Sequence, residues 1–347
     1  MDFVIQADHV VKTYIKPKRS LGILGSIRDL FKRDYELVRA VDDITLNIRQ
    51  GEFIGYIGPN GAGKSTSIKI LTGILQASSG TVRVLGLDPF KDRRAYTRQI
   101  GVVFGQRTQL WWDIAVQESF SLLKRIYQIK DSDYRSRLDE LVTLFQVGSL
   151  LQTPVRKLSL GERMKCDIIA SLLHKPAILF LDEPTIGLDA IAKESIREVL
   201  LKLHTKGDTT ILLTTHDLQE IEELCDRIIV LDHGKIVYDG DLFQIKNLSG
   251  LSHRLSIEFV ETPDITIRDT WIAIPGVIEI SGEGRHLFFD FDHREISVPL
   301  LLQQIFSYCE VRDLQVSEPS IEDVIKKLYR SGFNTESYLP DSRQGLV

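Results

Sequence analysis

The sequence predicts an α/β fold, with a largely parallel sheet, a helical subdomain inserted into it and a small C-terminal α+β domain. Three observations lead to this prediction. In the first two thirds of the chain, apolar strand patterns alternate with amphipathic helix patterns, as in parallel sheets. The segment from about 113 to 175 has mainly helical spacing, and beyond Leu251 the spacing changes to the alternation of antiparallel strands.

Size and composition limit the function. The 347 residues, 43% of them hydrophobic, can form one large domain and a smaller one. A net charge of −5 gives no global positive field, so we expect no nucleic-acid partner. Cys166, Cys225 and Cys309 lie far apart and form no metal-ligand pair, which favours a reducing compartment. The N-terminal residues lack a signal-peptide pattern and no apolar run approaches roughly 20 residues, so we expect any membrane crossing to belong to another chain.

The N-terminal elements come first. Residues 1–14 and 40–58 have strand patterns, and an insertion at 16–39 separates them. This insertion carries seven basic and three acidic residues, and its apolar residues recur at helical intervals, which predicts a basic amphipathic helix near 21–33.

The elements that follow alternate in type. A helix is predicted over Ser65 to Leu75, a buried strand over Ala177 to Asp182, a helix over Lys193 to Leu203 and a buried strand over Thr209 to Thr214. The C-terminal domain is predicted to hold a strand pair around the turn at 281–284, a helix after Ser297, a strand near 311–316 and a helix over 320–329. The predicted domains are therefore 1–247 and 251–330, with a loose tail at 331–347.

A glycine-rich segment lies between the strand at 53–57 and the helix that follows it. It matches the full phosphate-loop pattern, Gly58-Pro59-Asn60-Gly61-Ala62-Gly63-Lys64-Ser65. Backbone N–H groups and the helix N-terminus would surround the phosphates, and Lys64 would reach the β- and γ-phosphates. The Ser65 hydroxyl suits Mg²⁺, and Thr66 would support the phosphates from the next position. The context of strand and helix makes an incidental glycine-rich turn the weaker alternative.

Two carboxylates, Asp182 and Glu183, follow a buried strand. Ligands of open α/β sheets gather at the carboxyl ends of the strands. Asp182 would coordinate Mg²⁺, and Glu183 would polarise the water that attacks the γ-phosphate. An isolated acidic pair is usually a solvated turn, but the nearby phosphate loop favours the catalytic interpretation.

The order of motifs closely resembles that of ABC ATPases over roughly residues 3 to 245, and implies an ABC-type nucleotide-binding domain of the P-loop NTPase class. The matching elements are the phosphate loop, Gln106, Leu158-Ser159-Leu160-Gly161-Glu162, Asp182-Glu183, Gly187-Leu188-Asp189 and His216. In that family two subunits enclose two ATP molecules, and each phosphate loop faces the signature segment of the other subunit. The resemblance therefore implies a homodimer or a paired ATPase subunit.

The resemblance also implies individual roles. Tyr14 would stack on adenine, Gln106 would sense Mg²⁺ and the attacking water, and His216 would contact the γ-phosphate in cis. Ser159 and Gly161 would contact the opposite γ-phosphate, and Asp189 would couple the two sites. Two of these residues have structural alternatives, because Tyr14 could pack beneath the insertion and His216 could be a surface or capping residue.

The signature segment departs from the usual Leu-Ser-Gly-Gly-Gln of the family at Leu160 and Glu162. Ser159 and Glu162 also have the spacing of a capping box, which would cap the helix that follows whatever its catalytic role. An ionised Glu162 at about 8 Å from a phosphate charge would repel it by about 2 kcal/mol at an effective dielectric of about 20. We expect slower or weaker ATP-driven closure and not an inactive enzyme.

The resemblance extends to partners. The segment Val103 to Asp113, with Trp111 and Trp112, and the segment Glu183 to Asp189 look like those of ABC-2-type exporter ATPases for drugs, viologen-like cations or surface polymers. Exposed tryptophans there would suit a separate membrane permease, although we expect at least one to pack into the helical subdomain. The resemblance thus implies a peripheral protein on the cytoplasmic face of the cell membrane.

Other interpretations stay open. The basic helix near 21–33 would lie against anionic lipid or the permease, or would be a solvated insertion. The C-terminal domain resembles the accessory domain of some exporter ATPases. The whole chain could instead be a soluble regulatory ABC ATPase without a permease, or a binding module with negligible turnover, which Glu183 argues against.

Overall fold

A computed structural model describes residues 3–17, 35–105, 107–205, 207, 209–248, 252–318 and 321–325. The predicted basic helix near 21–33, Gln106 and the predicted tail at 331–347 lie outside these residues. Contacts divide the described chain into two compact units, one up to Gly240 and one from Asp241 onward. The predicted first domain ends at 247 and so includes most of the helix Leu242–Leu248. In the structure this helix belongs to the second unit.

The first unit holds nine strands and seven α-helices among its described residues. The strands are β1 (Phe3–Pro17), β2 (Tyr35–Arg49), β3 (Phe53–Ile57), β4 (Ser79–Val84), β5 (Ile100–Phe104), β6 (Ile178–Asp182), β7 (Thr210–Thr214), β8 (Arg227–Asp232) and β9 (Lys235–Asp241, which ends at the boundary). The helices are α1 (Lys64–Leu71), α2 (Arg93–Tyr96), α3 (Val116–Tyr127), α4 (Asp131–Phe145), α5 (Leu160–Leu172), α6 (Ala190–Thr205) and α7 (Leu218–Leu224).

Two sheets form this unit. The predicted parallel sheet is a six-stranded sheet in the order β5-β6-β7-β3-β8-β9, and the pairs β5/β6, β6/β7, β7/β3 and β3/β8 are all parallel. A three-stranded antiparallel sheet has the order β2-β1-β4. The ends of the predicted insertion, at 16–17 and 35–39, are paired strand residues of β1 and β2. Apolar side chains of both sheets and of α1 form one core cluster.

The predicted helix over Ser65 to Leu75 ends early, at Leu71. Gly73 has a φ of +71°, and a Cβ there would lie 2.2 Å from the carbonyl oxygen of Pro89. The helix ends before this glycine because a residue with a side chain would be strained at this φ and would clash with the backbone of Pro89. The helical segment predicted at 113–175 contains α3, α4 and α5 with two short 3₁₀ turns between α4 and α5.

The second unit is built from α8 (Leu242–Leu248), β10 (His253–Phe259), α9 (Ile265–Ile272), β11 (Val277–Glu283), β12 (His286–Phe291), α10 (Val298–Phe306) and β13 (Val311–Ser317). Its antiparallel sheet has the order β11-β12-β10-β13. The predicted strand pair is confirmed as β11 and β12, but its turn lies at 284–285, because residues 281–283 belong to β11. The predicted helix after Ser297 is confirmed, and residues 321–325 of the helix predicted at 320–329 are helical. The unit has its own core around Trp271.

Candidate nucleotide site

The phosphate loop runs from the end of β3 to the start of α1, as the sequence predicts. Gly63 has a φ of +106°, and a Cβ there would lie 2.3 Å from the carbonyl oxygen of Ala40 on β2. A Cβ on Gly58 would meet the carbonyl oxygen of Leu231 at 2.5 Å. The glycines are therefore required by backbone packing as well as by the loop's conformation.

Lys64 lies within this loop and is 6% exposed. Its ammonium donates to the carbonyl oxygens of Gly58 at 2.6 Å and Pro59 at 3.2 Å. Burial lowers the pKa of Lys64, while the negative charges of Glu183 and Asp182 oppose that shift. The ammonium is thus held inside the ring of loop carbonyls, beside the two carboxylates predicted for the site.

Asp182 ends β6, which lies between β5 and β7 in the parallel sheet. Its Oδ1 accepts a hydrogen bond from the Thr214 hydroxyl at 2.6 Å and lies 3.5 Å from the Ser65 hydroxyl oxygen. Thr214 is buried at the end of β7, the neighbouring strand, whereas Ser65 is exposed. The Asp182 carboxylate and the exposed Ser65 hydroxyl therefore lie close together, and Asp182 is near enough to Lys64 to affect its pKa. Both lie at the edge where ligands of parallel sheets bind.

Glu183 follows with a φ of +53°, a conformation that non-glycine residues rarely adopt. Its backbone N–H donates to the carbonyl oxygen of Thr214 at 2.9 Å and to the Thr214 hydroxyl at 3.1 Å. Gly105, after β5, donates its N–H to the carbonyl oxygen of Asp182 at 2.8 Å. A Cβ on Gly105 would lie 1.9 Å from the carbonyl oxygen of Glu183. The chain that leads to Gln106 is thus packed directly on the backbone of Glu183.

The signature segment forms a second group of predicted site residues. The predicted capping box is confirmed, because Ser159 donates its N–H to Glu162 Oε2 at 2.8 Å and Glu162 donates its N–H to the Ser159 hydroxyl at 3.3 Å. Ser159, Gly161 and Asp189 share the lining of a cavity of about 320 Å³. Asp189 Oδ1 accepts the N–H of Ala192 at 2.8 Å and so caps α6. Ile191, in the same lining, is 84% exposed.

Three further predicted residues, His216, Tyr14 and Gln106, make no contact with these two groups that the structure describes. His216 is exposed in the loop after β7, two residues beyond Thr214. Tyr14 is half-buried on β1 opposite Val38, and the Lys12 ammonium lies 5.5 Å from its ring centroid. Gln106 itself is outside the described residues, but both of its neighbours are described.

Both tryptophans after Gln106 are exposed, Trp111 by 40% and Trp112 by 49%, so the expectation that at least one packs inside is wrong. Two local contacts explain this. The Trp111 N–H donates to the Ser119 hydroxyl at 3.2 Å, which fixes the backbone, and the Arg163 guanidinium lies 5.4 Å from the Trp112 ring centroid. The cation–π contact stabilises a ring that stays at the surface.

Thr214 and Gly105 are site residues that the sequence does not single out. A threonine that ends a buried strand is the signal that could have identified Thr214, because the carboxyl ends of parallel strands share one edge. Its contact with Asp182 depends on β7 being the neighbour of β6, which the sequence does not specify.

Comparison with known proteins identifies the family of the chain. Residues 41–186 match the ABC transporter family. The chain is 33% identical over 212 residues to the ABC transporter ATP-binding protein NatA of Bacillus subtilis, which covers 61% of this chain and 86% of that protein. It is 31% identical over 314 residues to the daunorubicin/doxorubicin resistance ATP-binding protein DrrA of Streptomyces peucetius, covering 90% of this chain and 93% of that protein. It is 34% identical over 262 residues to the Nod factor export ATP-binding protein I of Ralstonia nicotianae, covering 74% and 79%.

Solved structures agree as well. An ATP-binding subunit of an ABC transporter superposes with a TM-score of 0.59 at 25% identity, covering 71% of this chain and 93% of that one. A dimeric ATP-binding cassette in a post-hydrolysis state, bound to ADP and Pi, superposes with a TM-score of 0.57 at 26% identity, covering 69% and 98%.

The chain therefore belongs to the ABC transporter family as an ATP-binding subunit, and it binds and hydrolyses ATP. Cassettes of this kind form dimers, as the structural relative does. None of the helices in the described parts of the chain has the length and apolar character that crossing a bilayer needs.

Proposed function

We propose that this chain hydrolyses MgATP in a dimer of ATPase subunits and thereby drives export through a separate membrane permease at the cytoplasmic face of the membrane. The observation that carries the proposal is the meeting of Lys64, Ser65, Asp182 and Glu183 at one edge of the parallel sheet. The export direction is supported by one relative that is a Nod factor export protein, and a second relative that confers drug resistance accords with it.

The residues present fit a magnesium ion. Ser65 offers an exposed hydroxyl oxygen 3.5 Å from Asp182 Oδ1, and hydroxyl and carboxylate oxygens are the donors that Mg²⁺ takes in phosphate sites. When bound, the ion would neutralise charge on the phosphate oxygens. Thr214, which donates to the same carboxylate oxygen, orients Asp182 for that role.

The chain's own groups would perform the remaining chemistry. Backbone N–H groups of residues 58–66 and the Lys64 ammonium would hold the β- and γ-phosphates. Glu183 would orient and polarise the attacking water, with Gln106 and His216 at the γ-phosphate. Tyr14 would stack on adenine. By the resemblance to ABC ATPases, Ser159, Gly161 and Asp189 of the partner subunit would complete the site. The exposed Ile191 in the lining of their cavity supports a surface that a second subunit covers.

Glu183→Gln tests the catalytic assignment. The amide keeps the shape of the side chain but cannot accept a proton from water, so we expect kcat to fall at least about a hundredfold while ATP binding persists. ATP hydrolysis by the purified chain is measured over a protein concentration series with Mg²⁺ and with a chelator. The wild-type rate should rise with dimer formation and require Mg²⁺. Turnover that persists in Glu183→Gln contradicts the proposed mechanism.

The exposed tryptophans support a protein partner. Aromatic side chains that stay exposed beside a site are common anchors of interfaces. Reconstitution with the candidate permease in lipid should stimulate ATP hydrolysis by the wild type, and Trp112→Ala should reduce the stimulation without changing the basal rate. A chain whose activity is indifferent to any permease would instead fit a soluble regulatory ATPase.

A further inference from the structure

Asp167 is a buried carboxylate on α5 that has no place in the site described so far. The residue is 3% exposed. Its Oδ1 accepts hydrogen bonds from the Thr108 hydroxyl and from the Gln109 backbone N–H, both at 2.9 Å. The Gln109 side-chain amide also donates a hydrogen bond, to the Asp167 backbone carbonyl oxygen at 2.8 Å. Three hydrogen bonds therefore attach the segment after Gln106 to the helix that begins at the signature.

The segment is fixed at both ends. On one side of Gln106, the Gly105 N–H is bonded to the Asp182 carbonyl oxygen. On the other side, Thr108 and Gln109 are bonded to Asp167, and the Thr108 hydroxyl also accepts the N–H of Leu110 at 3.1 Å. The described residues on the two sides of Gln106 are thus attached at different places, Gly105 at β6 and residues 108–109 at α5.

The same helix contacts one of the exposed tryptophans, Trp112. Arg163, one turn before Asp167, lies over the ring of Trp112. Ser159 caps the N-terminus of this helix. A rigid helix therefore links the signature serine, the loop of Gln106 and the aromatic surface through Asp167 and Arg163.

A carboxylate at this position is costly. Burial raises the pKa of Asp167 to about 6, although hydrogen bonds from Gln109 and Thr108 and the positive charge of Arg163 lower it. An apolar side chain would fill the same space without this desolvation penalty. The carboxylate's contribution therefore lies in the contacts it makes with the loop.

We propose that Asp167 is a positioning residue for ATP hydrolysis, which holds residues 108–109, shortly after Gln106, against the signature helix. This inference rests on the proposed roles of Gln106 and Ser159. Loss of the attachment would displace Gln106 from the γ-phosphate while leaving the phosphate loop intact, because Lys64 takes its contacts from Gly58 and Pro59. The expected signature is a lower kcat with an unchanged KM for ATP.

The test measures kcat and KM of the purified full chain for Asp167→Ala and Asp167→Asn. Asp167→Ala removes the acceptor, and we expect kcat to fall about tenfold or more, with KM within about twofold of the wild type. Asp167→Asn keeps an oxygen that can accept from Thr108 and Gln109, and we expect it to retain kcat within about threefold. Ser171→Ala is the matched control, because Ser171 is a buried polar residue of the same helix that donates only locally, to the Ile168 carbonyl oxygen.

Each result decides the matter. The positioning role is overturned if Asp167→Ala keeps the wild-type kcat, if Asp167→Asn is as impaired as Asp167→Ala, or if Ser171→Ala loses as much activity. If Asp167→Ala does not fold, Thr108→Val decides, since it removes one donor from the loop side and should lower kcat severalfold. Glu183→Gln, measured in parallel, separates the two ideas: its failure to abolish turnover would refute the proposed site, whereas a normal Asp167→Ala beside an inactive Glu183→Gln refutes only the positioning role.

Discussion

Single residues at the site hold conformations and environments that are unfavourable by themselves. Glu183 has a left-handed φ of +53°, and such a conformation costs on the order of 1 to 3 kcal/mol. Two hydrogen bonds from its N–H to Thr214 maintain it. Lys64 is buried, which disfavours its charged form and lowers its pKa. Both residues are therefore held in place before ATP arrives, which is how an enzyme lowers the reorganisation needed during the reaction.

Glu162 is the residue at which this chain departs from the family signature, and the structure gives its carboxylate a local role as a helix cap. Glu162→Gln keeps an oxygen that can accept the Ser159 N–H but removes the charge. We expect an unchanged melting temperature and an ATP-dependent dimer that is severalfold tighter, because repulsion of at most about 2 kcal/mol is relieved and solvent screens part of it. Dimerisation is measured by analytical ultracentrifugation with ATP in the Glu183→Gln background.

Glu162→Ala is the matched variant for this prediction, since it removes the charge together with the Glu162 half of the capping box, while Ser159 still accepts the backbone N–H of residue 162. It should lose about 1 kcal/mol of stability. Equal dimer affinity in the wild type and Glu162→Gln would place the Glu162 charge too far from the phosphates to matter.

The sequence predicted the site residues that belong to contiguous motifs. It did not predict residues that reach the site through hydrogen bonds to distant parts of the chain. Lys64, Asp182 and Glu183 lie where the pattern of strand, loop and helix places them. Thr214 and Asp167 were not predicted, because their partners are 32 and 59 residues away in the chain. Such pairs become visible only when the order of strands and the packing of α5 are known.

At the scale of elements, strand order brings the site together. β6 lies between β5 and β7, so the chain after each of these three strands emerges at one edge. Periodicity predicted most of these elements, but it could not predict their order, since buried parallel strands have similar apolar patterns. The early end of α1 was also missed, because it depends on the approach of Gly73 to the distant Pro89.

Gly105 tests the junction of β5 and β6. A Cβ there would lie 1.9 Å from the Glu183 carbonyl oxygen, so Gly105→Ala must move either Glu183 or the loop of Gln106. We expect kcat to fall about tenfold to a hundredfold, since displacement of catalytic groups by about 1 Å has effects of this size. Steady-state ATP hydrolysis measures it, with thermal unfolding to show that the fold persists.

Gly148→Ala is the control, because the nearest heavy atom to its added Cβ is 3.7 Å away and its φ lies outside the left-handed region. It should keep wild-type kcat. A Gly105→Ala enzyme with normal kcat would mean that this close contact does not fix the catalytic geometry.

At the scale of the whole molecule, each of the two units has an apolar core of its own among its described residues. One joins the two sheets of the first unit, and the other lies between the antiparallel sheet and the helices of the second unit. None of the predicted catalytic or nucleotide-binding residues belongs to the second unit. The change of periodicity beyond Leu251 predicted this second core, because alternating apolar residues on strands imply a separate buried face.

Trp271 is the residue on which the second core most depends. It is fully buried, with its ring 5.4 Å from those of both Phe259 and Phe289. Trp271→Ala should destabilise the second unit by about 3 to 5 kcal/mol, which is the usual range for removal of a buried aromatic side chain. Because the catalytic residues and their core lie in the first unit, we expect kcat per folded nucleotide site to remain near the wild-type value. Hydrogen exchange resolved by peptide, together with ATP hydrolysis, measures the two effects separately.

Ile272→Ala is the control, at an adjacent position that is 43% exposed, and it should change stability by less than about 0.5 kcal/mol. Loss of ATP hydrolysis in Trp271→Ala at a temperature where the first unit stays protected would show that the second unit contributes to turnover after all.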